Sequence, residues 1–447
     1  MKLPRGMRDF DGADAAGIEQ MRREFLRVAD LYGFEHADPS PLENLSTLET
    51  RSGPAIRDEI YNFEDKGGRE VALRFDFTMG LTRRAVSQRS AKLPSKVSSF
   101  GGVFRYDEPQ RGRYRYFHQW DLEVFGRPTM ETDAEIIEAT SVLFESLGLA
   151  DASIQVCHRG LVESKVRQVL GGSAPDETVA AVLRTVDKAA KRSRGEILSD
   201  FSSSGGDGAG LSGMLEQILD FAGARGGVGD VERAADVAGL DGWDYLASLY
   251  DSLKGRGVRN VEVNLGIVRG LDYYSGMVFE VFDGAGGDGN GSAPGSLGAL
   301  AGGGRYDALT AAFGRDDLGA AGVAGGVERI MLAMRARELS GGGGGHLPPA
   351  ARRVAVLYAT SGAVGAAARI ASSLRRAGIA VAFDTMGRSL KKQLGDASQN
   401  SIHAAIIVGP RELRDGMATL RMMDTGTQSL ISISGLQGDD PRAALGL

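Results

Sequence analysis

FRYDEPQRGRYRYFHQWDLE, residues 104–123, gathers Arg105, Arg111, Arg113 and Arg115, several carboxylates and a run of aromatics into one short segment. Arginine is a planar, permanently charged donor and suits phosphate or carboxylate better than lysine does. Two readings stand side by side. In one, the segment handles an anion, with Gln119 and Glu123 presenting an acidic side to the same pocket. In the other it is an exposed charged hairpin with aromatic cross-strand pairs. Either way, Lys96 to Tyr106 and Tyr114 to Phe125 read as two strands joined by the arginine-rich loop.

Upstream, Ile18, Met21, Phe25, Val28 and Leu31 recur at helical spacing, and Gly33 closes that helix. Pro39 and Pro41 force an extended segment. Tyr61 to Phe63 and Val71 to Phe75 flank DKGG as a hairpin. Downstream, Thr132 to Leu147 is amphipathic, and residues 171–253 turn alanine-, glycine- and charge-rich with short helical patches, the pattern of a helical insertion. The stretch Gly205 to Gly213 within it reads as a mobile loop. Val258 to Val263 alternates as a strand, RGLDYYSGMVFEVF follows as another, Gly302 to Gly304 reads as a tight turn into a helix, and Ala320 to Met334 runs from strand to helix. Strands of this kind, fed by helices, predict an α+β domain with an antiparallel sheet.

Past Gly341 to Gly345 and HLPP, a linker, the character changes. Val354 to Tyr358, Ile379 to Phe383 and Ile402 to Val408 are short continuous apolar runs between helical segments, which predicts a separate α/β domain with a buried, largely parallel sheet. The expected organisation is therefore a catalytic core over 1–170 and 254–336, a helical insertion over 171–253, a linker over 337–351, and a C-terminal domain over 352–447.

Composition narrows the chemistry. The chain has 447 residues, 42% of them hydrophobic, enough for two or three cores. No apolar run is long enough to span a bilayer, and MKLPRGMRDF lacks the apolar stretch of a signal peptide. The lone Cys157 rules out an internal disulfide and fits a cytoplasmic setting. No CxxC or HxxxH spacing suggests a zinc site, so no protein-held metal is expected. A net charge of −6 does not advertise a nucleic-acid binder, although local basic faces make phosphate contacts regardless of the sum. GxxxxGK[ST] and GxSxG are absent, and the GxGxxG at Gly284 to Gly289 lies in glycine-rich sequence with no helix behind it.

Four clusters then stand out. LRFDFT, FRYDEPQRGRYRYFHQ, the pair RGLDYYSGMVFE and AGGGRYD, and AGGVERI resemble, in that order, the segment before the active site, motif 2, the two histidine-specific signatures and motif 3 of the class II histidyl-tRNA synthetases. DKGG and RGMRDF also fit, and the C-terminal domain is similar to the family's anticodon-binding domain. The resemblance implies an ATP-dependent ligase that activates L-histidine and transfers it to tRNA(His), working as a homodimer, with Mg2+ carried on ATP. It implies that Arg105 and Arg269 are catalytic at the α-phosphate and substrate carboxylate, and that Arg113 and Arg329 hold the β- and γ-phosphates beside Arg105. Histidine would be bound by Asp76, Phe77, Thr78, Arg105, Gln119, Glu123, Arg269, Tyr273, Tyr274 and Tyr306, with Glu123 and Tyr274 reading the imidazole.

Plainer readings accompany these. The tyrosines are ordinary strand aromatics in isolation. Asp76 and Thr78 could cap the next helix. Arg329 beside Glu328 could be a surface pair, and His118 reads as structural. Arg388, Lys391 and Lys392 form a basic cluster on a predicted helix, suited to tRNA phosphates or simply to solvent. The chain departs from the family where the motif 1 proline falls on Ser40, between Pro39 and Pro41, and Asp76 stands where bacterial members usually have glutamate. FDFT and CHRG look closer to the archaeal and eukaryotic branch. The alternative function is a catalytically silent paralogue, either a regulatory subunit of ATP phosphoribosyltransferase or a sensor of uncharged tRNA.

Overall fold

The computed structural model describes residues 2–50, 54–90, 92–106, 108, 114–172, 174–189, 194–203, 209–268, 274–284, 297–339, 354–400, 402–438 and 440–445. Two compact units emerge, Met1–Gly345 and His346–Leu447.

The first unit is built on twelve strands: β1 (Glu35–His36), β2 (Leu42–Asn44), β3 (Asn62–Glu64), β4 (Glu70–Leu73), β5 (Ser95–Phe104), β6 (Tyr116–Gly126), β7 (Ser153–His158), β8 (Arg225–Gly226), β9 (Val261–Asn264), β10 (Met277–Phe282), β11 (Ala301–Arg305) and β12 (Gly319–Gly326). Nine of them form one sheet in the order β1-β5-β6-β12-β11-β10-β7-β9-β8, and β2-β4-β3 form a small second sheet. The large sheet is antiparallel except at β1–β5 and β7–β9. It is the α+β architecture expected from the sequence.

Alternation along β6 sorts its side chains between two faces. Trp120, Leu122 and Val124 point to one face. There Trp120 packs on Phe25 of the helix Gly12–Leu31 with ring centroids 5.6 Å apart. Phe117, Gln119, Asp121 and Glu123 point to the other, toward the helix Thr78–Ser87. The first helix ends where Gly33 takes a φ of 74°, a conformation that favours glycine.

The glycines of AGGGRYD are not a turn. They lie inside β11, between β10 and β12, and the helix begins only at Asp307. Their role is close approach. A Cβ on Gly303 would come within 2.1 Å of the Gly322 carbonyl oxygen, and one on Gly304 within 2.5 Å of the Met277 carbonyl oxygen and 2.8 Å of the Tyr274 ring.

Between residues 171 and 253 the described segments are mainly helical, namely Asp176–Ala189, Arg194–Ser203, Ala209–Ala222, Val228–Ala234 and Trp243–Gly255, with β8 reaching back to close the edge of the large sheet. Of the expected loop at Gly205 to Gly213, the first part lies outside the described residues and the helix Ala209–Ala222 occupies the rest. Residues 285–296 of the glycine-rich stretch and 340–353 of the linker also lie outside them.

The second unit has a sheet in the order β14-β13-β15-β16-β17, with β13 (Val354–Tyr358), β14 (Val381–Phe383), β15 (Ala404–Val408), β16 (Met417–Met422) and β17 (Gln428–Ser432). The three apolar runs pair in parallel as expected, but β16 and β17 add two antiparallel pairings, so the sheet is mixed rather than largely parallel. These two strands are only partly covered, and their polar residues hide them from a search for continuous apolar runs. Ile370 and Leu374 of the helix Val364–Arg376 join Val356 and Ile406 in one core, while Ala397 joins Ala355 and Leu357 in another.

Because backbone stands where a Cβ would go, Gly303→Ala should lower the unfolding free energy by about 1–3 kcal/mol. Denaturant titration checks this, and an unchanged midpoint would mean that β11 and β12 can separate without loss.

Candidate active site

The site face of the large sheet has a wall and a floor. The wall is the β6 series Phe117, Gln119, Asp121 and Glu123. The floor is Gly322, Ala324 and Gly326 of β12, paired with Glu123, Asp121 and Gln119, and next to it Gly304 and Gly302 of β11, paired with Gly322 and Ala324. A Cβ on Gly322 would lie 1.5 Å from Glu123 Oε2, so glycine is what lets the Glu123 carboxylate lie across the floor. Tyr274 lies over Gly304 in the same way and is itself buried.

Three carboxyl groups are buried together here. Thr78 Oγ1 donates to Glu123 Oε1 at 2.7 Å and lies 3.4 Å from Asp121 Oδ2. The Tyr306 hydroxyl donates to Glu123 Oε2. Gln119 Nε2 donates to Asp121 Oδ1 at 2.8 Å. Asp76 Oδ1 accepts from the Met79 backbone N–H at 3.1 Å, capping the helix Thr78–Ser87 as its plainer reading expected. Arg105 closes the group, donating from Nη2 to Gln119 Oε1 at 3.2 Å and from Nε to the Phe75 carbonyl at 3.0 Å, with its guanidinium 5.1 Å from the Phe117 ring centroid.

Burial penalises these charges. It pushes Asp76 up to about 6, against the pull of the Met79 N–H and Arg105. Glu123 rises to about 8 through burial, with the Tyr306 and Thr78 hydrogen bonds opposing and Asp76 adding repulsion. Asp121 rises well above the ordinary carboxylate range, first through burial and then through its neighbour Glu123. A pocket so arranged favours a cation or a proton donor.

Sequence reasoning thus brought Asp76, Thr78, Arg105, Gln119, Glu123 and Tyr306 to one place, with Tyr274 beside them. Phe77 is different, since its ring is fully buried 4.5 Å beneath the Arg74 guanidinium and close to Gly101. Arg329, near the start of the helix Val327–Leu339, donates to the Ala299 carbonyl at 3.0 Å. Its neighbour Glu328 is not part of a surface pair. It is buried and accepts from the His118 backbone N–H at 3.0 Å with both oxygens, while its Oε1 also meets His118 Nδ1 at 3.0 Å, so His118 ties β6 to that helix. Arg113, Arg269 and Tyr273 lie outside the described residues.

Asp121 was missed. Its signal was present in the alternation Gln119, Asp121, Glu123, which puts all three on one face. Arg74 was missed too. It bridges Asp38, Pro39 and Gly102, bracing the chain just before Asp76.

In the second unit, Arg388 precedes the helix Leu390–Gln399 rather than lying on it, and it pairs with Asp384 and Asp396. Lys391 and Lys392 are exposed on that helix.

A family model described as histidyl-tRNA synthetase matches residues 6–330, and one described as an anticodon binding domain matches residues 353–437. The chain belongs to the histidyl-tRNA synthetase family. Among curated relatives, a histidine–tRNA ligase of Thermoplasma volcanium is 32% identical, covering 97% of this chain and 96% of its own. One of Halobacterium salinarum is 35% identical over 98% of each. In fold, the crystal structure of histidyl-tRNA synthetase from Nostoc sp. PCC 7120 superposes with a TM-score of 0.77 at 22% identity, covering 98% of both chains.

The raised Glu123 carboxyl carries a sign that can be tested. A group that holds its proton more tightly folded than unfolded contributes stability below its unfolded value and loses it as pH rises through the folded one. The window for Glu123 runs from 4.5 to about 8. Glu123→Gln should therefore gain stability relative to the parent protein as pH rises through that window, read as the difference in Tm. A difference that is flat with pH would show that Glu123 is not held uncharged by burial.

Proposed function

We propose that this family member is a histidine–tRNA ligase, activating L-histidine with ATP and transferring it to the 3′ end of tRNA(His). One observation carries the reading: Asp76, Thr78, Gln119, Glu123, Tyr306 and Arg105 converge on one face of the sheet, in a chain that matches both the catalytic and the anticodon-binding family models. A silent paralogue is not favoured, since the Thermoplasma volcanium and Halobacterium salinarum relatives, matched along nearly the whole chain, are histidine–tRNA ligases.

In the first step a histidine carboxylate oxygen attacks the α-phosphorus of ATP. The new P–O bond makes histidyl-adenylate as the bond to the leaving pyrophosphate breaks. Both reactants are anionic, so fixed cations must offset them. Arg105 is assigned to the α-phosphate and carboxylate. Its Nε bond to the Phe75 carbonyl, its contact with Gln119 and its place over Phe117 fix the fork before substrate arrives. By family position Arg269 reaches the same phosphate, and Arg113 and Arg329 take the β- and γ-phosphates. The cluster carboxyls already accept from Met79, Thr78, Gln119 and Tyr306, so we place magnesium on the triphosphate, as part of the substrate. In the second step a hydroxyl of the terminal ribose attacks the carbonyl carbon of the adenylate, and AMP leaves.

Histidine selection follows from the buried carboxyls. Glu123, held by Thr78 and Tyr306 over a glycine floor, is suited to accept from one ring nitrogen, and Tyr274 is assigned to the other. An amino acid without those nitrogens leaves the polar groups unpaired, which costs several powers of ten in rate. Asp76, Thr78 and Gln119 are assigned to the α-ammonium, and Tyr273 and Tyr306 are assigned to the pocket lining. In the second unit, exposed Lys391 and Lys392 are suited to tRNA phosphates, and Arg388, already paired with Asp384 and Asp396, contributes less. No described helix is long and apolar enough to cross a membrane. We assign the enzyme to the cytoplasm, where its tRNA is charged, as an isologous homodimer.

Histidine-dependent exchange of pyrophosphate into ATP is the deciding assay; folded protein without exchange would defeat the ligase reading. Arg269→Ala should lose exchange by several powers of ten while histidine binding weakens far less, and comparable loss of both would refute its role in the transition state.

A further inference from the structure

The Gln119 amide is held at both ends. Its Oε1 accepts from Arg105 Nη2 and its Nε2 donates to Asp121 Oδ1. A guanidinium can only donate, and Asp121 Oδ1 accepts whether the carboxyl is charged or carries its proton on Oδ2, so the two partners agree on which end of the amide faces which. Arg105 is itself fixed by the Phe75 carbonyl and the Phe117 ring, and Asp121 by Thr78 and by complete burial in the middle of β6.

Burying a carboxyl there is expensive. Ala324 and Ser99 stand opposite it on the neighbouring strands, and the Ser99 hydroxyl is turned away to the Ala37 carbonyl, so no cation on either strand explains it. What Asp121 does provide is a direction. With the amide reversed, its NH2 would face the Arg105 guanidinium, donor against donor. An incoming ammonium would then meet a third donor instead of an oxygen with a lone pair to spare.

We propose that Asp121 is a positioning residue for the substrate's α-ammonium, acting through Gln119: it draws the amide NH2 to itself and so presents Oε1 to the side of the pocket where the ammonium binds. The proposal rests on the assignment of Gln119 to the ammonium. It makes acceptor geometry, rather than the negative charge of Asp121, the quantity that matters. An asparagine could supply the same acceptor to Gln119 while turning its own NH2 to the Thr78 hydroxyl, which accepts as well as donates.

Two probes separate the parts. Histidinol keeps the ammonium and lacks the carboxylate, and imidazolepropionate keeps the carboxylate and lacks the ammonium. Calorimetric binding of each to the full chain, beside histidine, is measured for the parent protein, Asp121→Asn and Asp121→Leu. Asp121→Leu keeps the branched shape of the side chain and removes the acceptor, and Asp121→Asn keeps both the shape and an acceptor.

Asp121→Leu should weaken histidinol about tenfold or more while leaving imidazolepropionate within about twofold, the loss of one acceptor contact. Asp121→Asn should hold both within about threefold. Equal weakening of the two probes by Asp121→Leu, or weakening of neither, overturns the proposal. So does an Asp121→Asn that loses histidinol as severely as Asp121→Leu, because charge would then be what counts. A parent protein that binds histidine no tighter than imidazolepropionate overturns the ammonium subsite itself, and the proposal with it.

Discussion

Three carboxyl groups share the interior of one sheet face, with a single described guanidinium, Arg105, in contact with the group. That arrangement is electrostatically unfavourable, and most of the surrounding structure answers to it. Thr78, Gln119, Tyr306 and the Met79 N–H each supply a hydrogen bond to one of the carboxyls. The donors come from the helix that follows β4, from β6 itself and from the end of β11, so segments far apart in sequence are drawn to one point. Buried charge left short of partners is what lets a small site ask for a cation and a polar ring rather than for bulk.

The glycines are the other half of the same constraint. The Glu123 carboxylate can lie across β12 only because Gly322 has no side chain, and at Gly303 β11 lies so close to β12 that a Cβ would meet the Gly322 carbonyl. The floor therefore gives up the packing energy of several side chains, and the opposite face, where Trp120 meets Phe25, holds the sheet to its helices. The Glu328–His118 contact then fixes the helix that carries Arg329 to the same strand that carries Gln119 and Glu123. A displacement of β6 would move the proposed ammonium, imidazole and triphosphate contacts together.

Much of this was legible in the residues. The two strands expected over 96–106 and 114–125 held, because polar and apolar side chains alternate from Gln119 to Val124, while most of the arginine-rich loop between them lies outside the described residues. Resemblance to the family grouped Asp76, Thr78, Arg105, Gln119, Glu123 and Tyr306 before any contact was known. Other features were not legible. GGGR has the composition of a turn, and only the neighbouring strands show it to be the centre of a sheet. Alternation puts Asp121 on the face of Gln119 and Glu123, but only the contacts with Thr78 and Gln119 show that it is held there. β16 and β17 carry too many polar residues for a partly covered pair to announce itself, and Arg388 in sequence gives no hint of Asp384 and Asp396 beside it.

The sequence by itself determined which side chains could do the chemistry and which strands and helices carry most of them, because residue type and periodicity act locally. Tertiary structure alone decided how those groups are charged and which way they face. Burial raises the carboxyls, and the Gln119 amide is oriented between Asp121, two residues on along β6, and Arg105, which the β5–β6 pairing brings beside it. The burial and the Arg105 contact come from the folded chain, and no local pattern encodes them.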